Sequence, residues 1–303
     1  MLAVLPFLLI GCQARALGTA GQSPASQSPS PSTAGTSATP HSSRAVPRAD
    51  HIVLVIFENE DRDKIIGNPA APYLNELADS GADLTQSFGL THPSQPNYLA
   101  LFSGSMQGVT GNGCPKNFPK ADNLGQQLLK ARLGFVGYAE SLPAAGFRGC
   151  ESGSYERKHN PWVNFGNLPA SVNQPFSAFP ADFASLPAVA FVVPDMCSDM
   201  HDCSIAAGDQ WLRDHLDAYA QWAKTHNSLL IVTFDEDSGT NRNQIATILV
   251  GEQIEPGSYD EPTTHYTILR TIEDAYGLPP LGQAAKAKPL LTIWTAGSRP
   301  LRR

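Results

Sequence analysis

The run "HIVLVIFEN", residues 51–59, is an unbroken series of branched and aromatic apolar residues closed by an acid and an amide. A strand with one wet face alternates apolar and polar side chains. A run without alternation belongs to a strand buried on both faces, as in a parallel sheet covered by helices. "AVAFVVP" (188–194) and "SLLIVTFDED" (228–237) repeat the pattern, and "FVGYAE" (135–140) and "QIATILVG" (244–251) read as two further strands. Helical patterns separate them: "APYLNELADSG" (71–81), closed by Gly81, "DNLGQQLLKARLG" (122–134), "AAGDQWLRDHLDAYAQWAK" (206–224) and "YTILRTIEDAYG" (266–277). This alternation predicts a single α/β domain over residues 48–303, a mostly parallel sheet sandwiched between helices.

In such sheets ligands collect beyond the C-terminal strand ends. Here the 51–57 strand ends in Glu58 and Asn59, and the 188–194 strand in Asp195, with Asp199, His201 and Asp202 close behind. The 228–234 strand ends in Asp235, Glu236 and Asp237. A single acid at a strand end is ordinarily solvated or caps a turn. Three acidic clusters on one edge repel one another unless a cation or a proton joins them. An oxygen-rich set of this kind suits a divalent ion such as Mg, Ca or Mn and tolerates Zn or Fe, leaving the metal's identity open.

"THPSQPNYLALFSG" (91–104) places Ser94 on a proline-stiffened turn at or near the start of a buried helix. Two readings compete: Ser94 caps the helix, or it is a nucleophile held where backbone N–H groups collect anions. His92 shares the same side of an extended turn, and Asn97 either donates to a phosphate oxygen or caps the turn. "RKHN" (157–160) offers Arg157, Lys158 and His159, either a grip for phosphate or a solvated basic turn. His51, His215 and His226 carry no evident role.

The formal charge of the 303-residue chain is -7, and the first 47 residues carry only Arg15 and Arg44 and no acid. The remainder is therefore more acidic still, which argues against non-specific binding of nucleic acid or an anionic membrane surface. "MLAVLPFLLIGCQA", within residues 1–17, resembles a secretory leader, and "LIGC" resembles a lipobox with Cys12 as the lipidated residue. Cleavage at the small residues would instead give a freely secreted form. The stretch 18–47, nearly all Ser, Pro, Thr, Ala and Gly, reads as a disordered tether. The only membrane association expected is through that N-terminal anchor. Cys114, Cys150, Cys197 and Cys203 remain, and an even count in an exported chain implies two disulfides with three connectivities. The expected pairing is Cys114–Cys150 and Cys197–Cys203, the second closing a small loop around Asp199 and His201. The zinc reading is weak, because no C-x-x-C pair exists.

Six ordered blocks, "FENEDRDKIIGNPAAPYLNELADSGA", "THPSQPNYLALFSG", "YERKHNPWVNF", "DMHDCSIAAGDQWL", "LLIVTFDEDSG" and "HYTILRTIEDAYGLP", together resemble the bacterial phosphoesterase family. That family holds acid phosphatases and phospholipases C and shares the alkaline phosphatase superfamily fold. The resemblance spans residues 51 to about 295. It implies an exported, metal-dependent acid phosphatase acting as a monomer on phosphomonoesters, phosphoinositide headgroups among them. Ser94 would become a phosphoserine. Glu58, Asn59, Ser94, Asp235 and Glu236 would hold one metal; Asp195, His201 and His265 fall where the superfamily builds a second. Glu236 stands where the two-metal phosphatases carry His, so the number of metals is open. Without a second metal, His201 and His265 would contact phosphate and protonate the leaving oxygen. Asn97, Lys158, His159 and His92 would bind substrate, and the helix N–H groups behind Ser94 would face the phosphate oxygens. The alternatives are a phospholipase C-type phosphodiesterase, sharing the same site, and a non-catalytic metal-binding lipoprotein, against which an intact Ser94 argues.

Overall fold

The computed structural model describes residues 45–240 and 242–296. The proposed leader (1–17), Cys12 and all but the last three residues of the tether lie outside the described residues. Eight strands form the main sheet: β1 (His51–Phe57), β2 (Ala82–Leu84), β3 (Phe135–Ala139), β4 (Asn173–Pro175), β5 (Val189–Val193), β6 (Ser228–Phe234), β7 (Thr247–Gly251) and β8 (Gly257–Tyr259). Their order is β8-β2-β7-β6-β1-β5-β3-β4. The centre, β6-β1-β5-β3-β4, is parallel; β7 runs antiparallel to both β6 and β2.

The apolar run of β1 has the burial its sequence demands. Ile52, Leu54 and Ile56 join one core cluster, and Val53, Val55 and Phe57 join another on the opposite face. Helices α1 (Arg62–Ile65) and α2 (Pro72–Ser80) follow β1, α3 (Ser94–Ser103) and α4 (Leu124–Lys130) lie between β2 and β3, α5 (Ile205–Ala223) joins β5 to β6, and α6 (His265–Tyr276) follows β8. Residues of α3, α4 and α6 fill the first cluster, and residues of α2 and α5 the second. Each large apolar side chain moved from water into such a core contributes about 1.5–3 kcal/mol. Among the described residues no helix is long and apolar enough to cross a membrane.

Two glycines show close packing. Gly81 follows α2 in an extended conformation (φ -131°, ψ -162°), not the left-handed one of a glycine cap. Its role is proximity: a Cβ there would lie 2.3 Å from the Leu249 carbonyl oxygen of β7. A Cβ on Gly137 of β3 would sit 2.1 Å from the Trp162 ring, which crosses that strand. Trp162 belongs to a stretch of short turns and very short strands, residues 140–188, pinned by buried Arg157. The Arg157 guanidinium donates to Asn164 Oδ1 (3.1 Å) and to the carbonyls of Arg148 (2.6 Å) and Lys116 (2.8 Å). It therefore braces the loop that carries His159 and does not face a ligand.

Candidate active site

Register brings the first and third acidic clusters together. Phe57 pairs with Phe234, so the two chains leave the sheet side by side, and the Asp235 amide still donates to the Phe57 carbonyl at 3.0 Å. Glu58 and Asp235 consequently emerge next to each other, both almost fully buried. Asn59, at φ 49°, turns its backbone amide onto Asp235 Oδ1 (3.3 Å). From the other side comes the first turn of α3. Pro93, not Ser94, is the N-cap residue of α3, and the Ser94 side chain makes no cap bond. Ser94 Oγ instead donates to Glu58 Oε2 (2.9 Å) and lies 3.3 Å from Glu236 Oε1. The Asn59 amide reaches the same two carboxylate oxygens at 3.2 Å each, to which its nitrogen donates. Turned over, its oxygen would join theirs.

Glu58, Asn59, Ser94, Asp235 and Glu236 thus converge, and their chemistry fits a divalent cation. Ser94 Oγ stands 2.9 Å from Glu58 Oε2 and 3.3 Å from Glu236 Oε1, spacings that oxygen ligands of one small divalent cation can have. Asp235 Oδ2 is buried with no hydrogen-bond partner, as suits an oxygen that ligates a cation. Without that charge the acids resist ionisation. Burial, then the charges of Asp235 and Asp199, hold Glu58 well above the usual carboxylate range. Burial pushes Asp235 to about 7, and burial with the Asp235 charge pushes Glu236 to about 8.

Asp195, His201 and His265 are not assembled into a second ligand group. Asp195 accepts from Ser141 Oγ (2.6 Å) and from the amides of Cys197 (3.1 Å) and Ser198 (3.2 Å). His201 Nδ1 faces Asp202 Oδ1 at 2.7 Å on the exposed rim. His265 is buried at the start of α6, with Nε2 2.6 Å from the Asp235 carbonyl oxygen; burial lowers its pKa to about 4. It therefore supports the strand end as a neutral imidazole. Among the described residues, the group of three His and carboxylate side chains whose ligand atoms all lie within 4.8 Å of one another is Glu58, His159 and Asp199. His159 Nε2 is 3.3 Å from Glu58 Oε1, and Nδ1 is 3.4 Å from Asp199 Oδ2. Burial drives His159 well below the ordinary histidine value and raises Asp199 to about 8. His201 faces His159, ring centres 6.1 Å apart, and Lys158 acts on both His159 and Asp199 through its charge.

On the opposite side His92 bridges Glu236 Oε2 (Nδ1, 3.1 Å) and Asp237 Oδ1 (Nε2, 3.3 Å). Asn97 holds the turn together: its oxygen accepts from the amides of Leu90 (2.9 Å) and Thr91 (3.2 Å). Its nitrogen donates to the Thr91 carbonyl (2.7 Å) and Glu236 Oε2 (3.1 Å). The helix start is a weaker anion site than the sequence implies. Gln95 N–H is taken by Asn112 Oδ1 at 3.0 Å, and Pro96 has none to give. The sulfurs pair as Cys114–Cys150 and Cys197–Cys203, and the latter ring carries Asp199 and His201.

Sequence reasoning missed Tyr98, which reads as one more apolar residue of a buried helix face. Its hydroxyl donates to Glu58 Oε1, and its ring stacks on His159 (centroids 5.2 Å, 17° between planes). Tyr98→Phe removes that donor and leaves a buried acceptor underserved, at a cost of about 1–3 kcal/mol. The thermal midpoint should fall by about 3–10 °C. An unchanged midpoint would mean that Glu58 does not depend on this bond.

A model of the Phosphoesterase family matches residues 68–279. The chain is 52% identical over 252 residues to the phosphatidylinositol-3-phosphatase of Mycobacterium tuberculosis, covering 82% of this chain and 84% of that protein. It is 32% identical over 254 residues to a phosphate-repressible acid phosphatase of Penicillium chrysogenum, covering 77% of this chain and 60% of that longer protein. Among solved structures, a lipoteichoic acid synthase of Listeria monocytogenes superposes with TM-score 0.59 at 11% identity, covering 83% of this chain and 78% of that one. A Vibrio parahaemolyticus protein of the alkaline phosphatase superfamily superposes with TM-score 0.55 at 14% identity, covering 81% and 72%. At these identities the superpositions speak to the fold alone.

Proposed function

Because the chain belongs to the Phosphoesterase family and is a phosphoric monoester hydrolase, we propose that it is an exported acid phosphatase working through a phosphoserine at Ser94. The observation that carries this reading is the aim of Ser94 Oγ, away from its own helix and into the Glu58–Glu236 carboxylates. A hydroxyl so placed has an acceptor for its proton as the oxygen attacks phosphorus. Glu58, Asn59, Ser94, Asp235 and Glu236 would hold a divalent cation. When bound, it would lower the Ser94 pKa and neutralise charge on the phosphoryl group.

The chain's own side chains do the rest. Lys158 binds the phosphate oxygens on one flank; His159, with ring nitrogens facing Glu58 and Asp199, and His92, facing Glu236 and Asp237, hold those carboxylates in place, and Asn97 fixes the turn that carries Ser94. His201, on the solvent rim, gives a proton to the departing alcohol and then takes one from the water that cleaves the phosphoserine. Phosphoinositide headgroups are among the proposed substrates, supported by the identity to the mycobacterial enzyme. Export, as a lipid-anchored or freely secreted protein, is supported by the two disulfides and by the apolar leader. The test is turnover of an aryl phosphate and its aryl diester by the purified protein across pH 4–8. Monoester cleavage should exceed diester cleavage by at least about tenfold and peak on the acid side of neutrality. Faster diester cleavage would make this a phosphodiesterase.

A further inference from the structure

The two oxygens of Glu58 serve different neighbours. Oε2 accepts from Ser94 Oγ at 2.9 Å, inside the oxygen cluster described above. Oε1 accepts from the Tyr98 hydroxyl and lies 3.3 Å from His159 Nε2. The other nitrogen of that imidazole stands 3.4 Å from Asp199 Oδ2. Neither contact closes a hydrogen bond: His159 Nε2 and Asp199 Oδ2 are buried without a partner. The two residues are 1% and 0% exposed, so water does not serve them either. Orphaned groups at this depth cost about 1–3 kcal/mol each and call for a reason. A proton shared between imidazole and carboxylate would need a shorter, aligned contact. A cation held by both does not.

The surroundings hold the three side chains while leaving those atoms free. Asp199 uses its other oxygen, Oδ1, to accept from the His201 amide at 2.8 Å, within the Cys197–Cys203 ring. The Tyr98 ring lies on the imidazole with 17° between planes, which fixes its tilt. Such outer contacts orient a ligand before an ion arrives. Charge points the same way. Asp235 and Asp199 both act on Glu58, and Asp235 acts on Glu236. One divalent cation at Ser94 offsets two of these four carboxylates, and a second offsets the remaining two.

We propose that Glu58, His159 and Asp199 form a second divalent-cation site that shares Glu58 with the Ser94 cluster. One nitrogen beside two carboxylates suits Zn²⁺, Mn²⁺ or Fe²⁺ better than Mg²⁺ or Ca²⁺, so the two sites differ in preference. The inference rests on the cation reading of the Ser94 cluster. Its test is protein stripped by a chelator and reloaded with Mn²⁺, followed by equilibrium dialysis and electron paramagnetic resonance. Wild type should take up about two equivalents, and ions sharing a carboxylate about 3.5–4 Å apart should give an exchange-broadened spectrum. His159→Gln and Asp199→Asn should each fall to about one equivalent with the spectrum of an isolated ion. Asp199→Asn keeps the shape of the side chain, and circular dichroism checks that both variants fold. Two equivalents retained in both variants, or two without exchange broadening in wild type, would overturn the proposal. A single wild-type equivalent that Asp235→Asn loses and His159→Gln keeps would overturn it and leave the Ser94 site standing. A single equivalent with the opposite pattern, or no uptake at all, would overturn both.

Discussion

Replacing Ser94 with alanine is expected to lower kcat on an aryl phosphate by at least about a thousandfold, with bound cation retained. Four of the five proposed oxygen ligands remain in the variant, so metal content measured by mass spectrometry should change little. The substitution deletes the donor to Glu58 Oε2, and the fold should lose about 1–3 kcal/mol, not collapse. A chemical signature separates a nucleophile from a mere positioning group. A phosphoserine is intercepted by added alcohol, so wild type should transfer part of its phosphoryl groups to glycerol, and Ser94→Ala none. Near-native turnover by Ser94→Ala on every monoester tried would remove Ser94 from the chemistry.

Removing the cation should have an effect that depends on pH with a defined sign. In the cation-free protein Asp235 titrates near 7, and Asp199 and Glu236 near 8, burial being the first cause in each case. In the unfolded chain these acids titrate near 4. Between those values the folded state holds protons that the unfolded state has lost, so raising pH from about 4 to 8 progressively destabilises the cation-free fold. A bound cation reverses the sign: it requires ionised ligands, so its contribution is present at neutral pH and lost as pH falls. The gap between thermal midpoints with and without a chelator should therefore be small at pH 5. At pH 8 it should widen to about 10 °C or more, several kcal/mol at about 2–4 °C each. Equal gaps at both pH values, or none, would mean that Asp235 and Glu236 do not hold a cation.

The central strands and the long helices were legible because each carries a period or an unbroken apolar run. Direction was not. The run 247–251 is buried on both faces whichever way it points, and here it lies antiparallel to its neighbours. The outlying strands β2, β4 and β8, three residues each, are too short to show a period, and Pro175 in β4 argues locally against a strand. The same division runs through the site. Acids at the ends of β1 and β6 could be read because adjacent parallel strands deliver their next residues together. His159 looked like part of a basic surface turn, since nothing local reveals that 140–188 folds over it. Asp199 stood in a run of polar residues, and only the tertiary fold opposes its carboxylate to His159.

All ten residues of α3, from Ser94 to Ser103, are buried. An enzyme that mounts its nucleophile on an exposed loop can lose the geometry of the site by local fraying long before the body of the protein melts. Ser94 has no such freedom. Shifting it means withdrawing Tyr98, Leu99, Leu101 and Phe102 from the main core, which amounts to dismantling the domain. Heat inactivation and unfolding should then coincide in a single transition, with no loosened and partly active species between the working enzyme and the open chain.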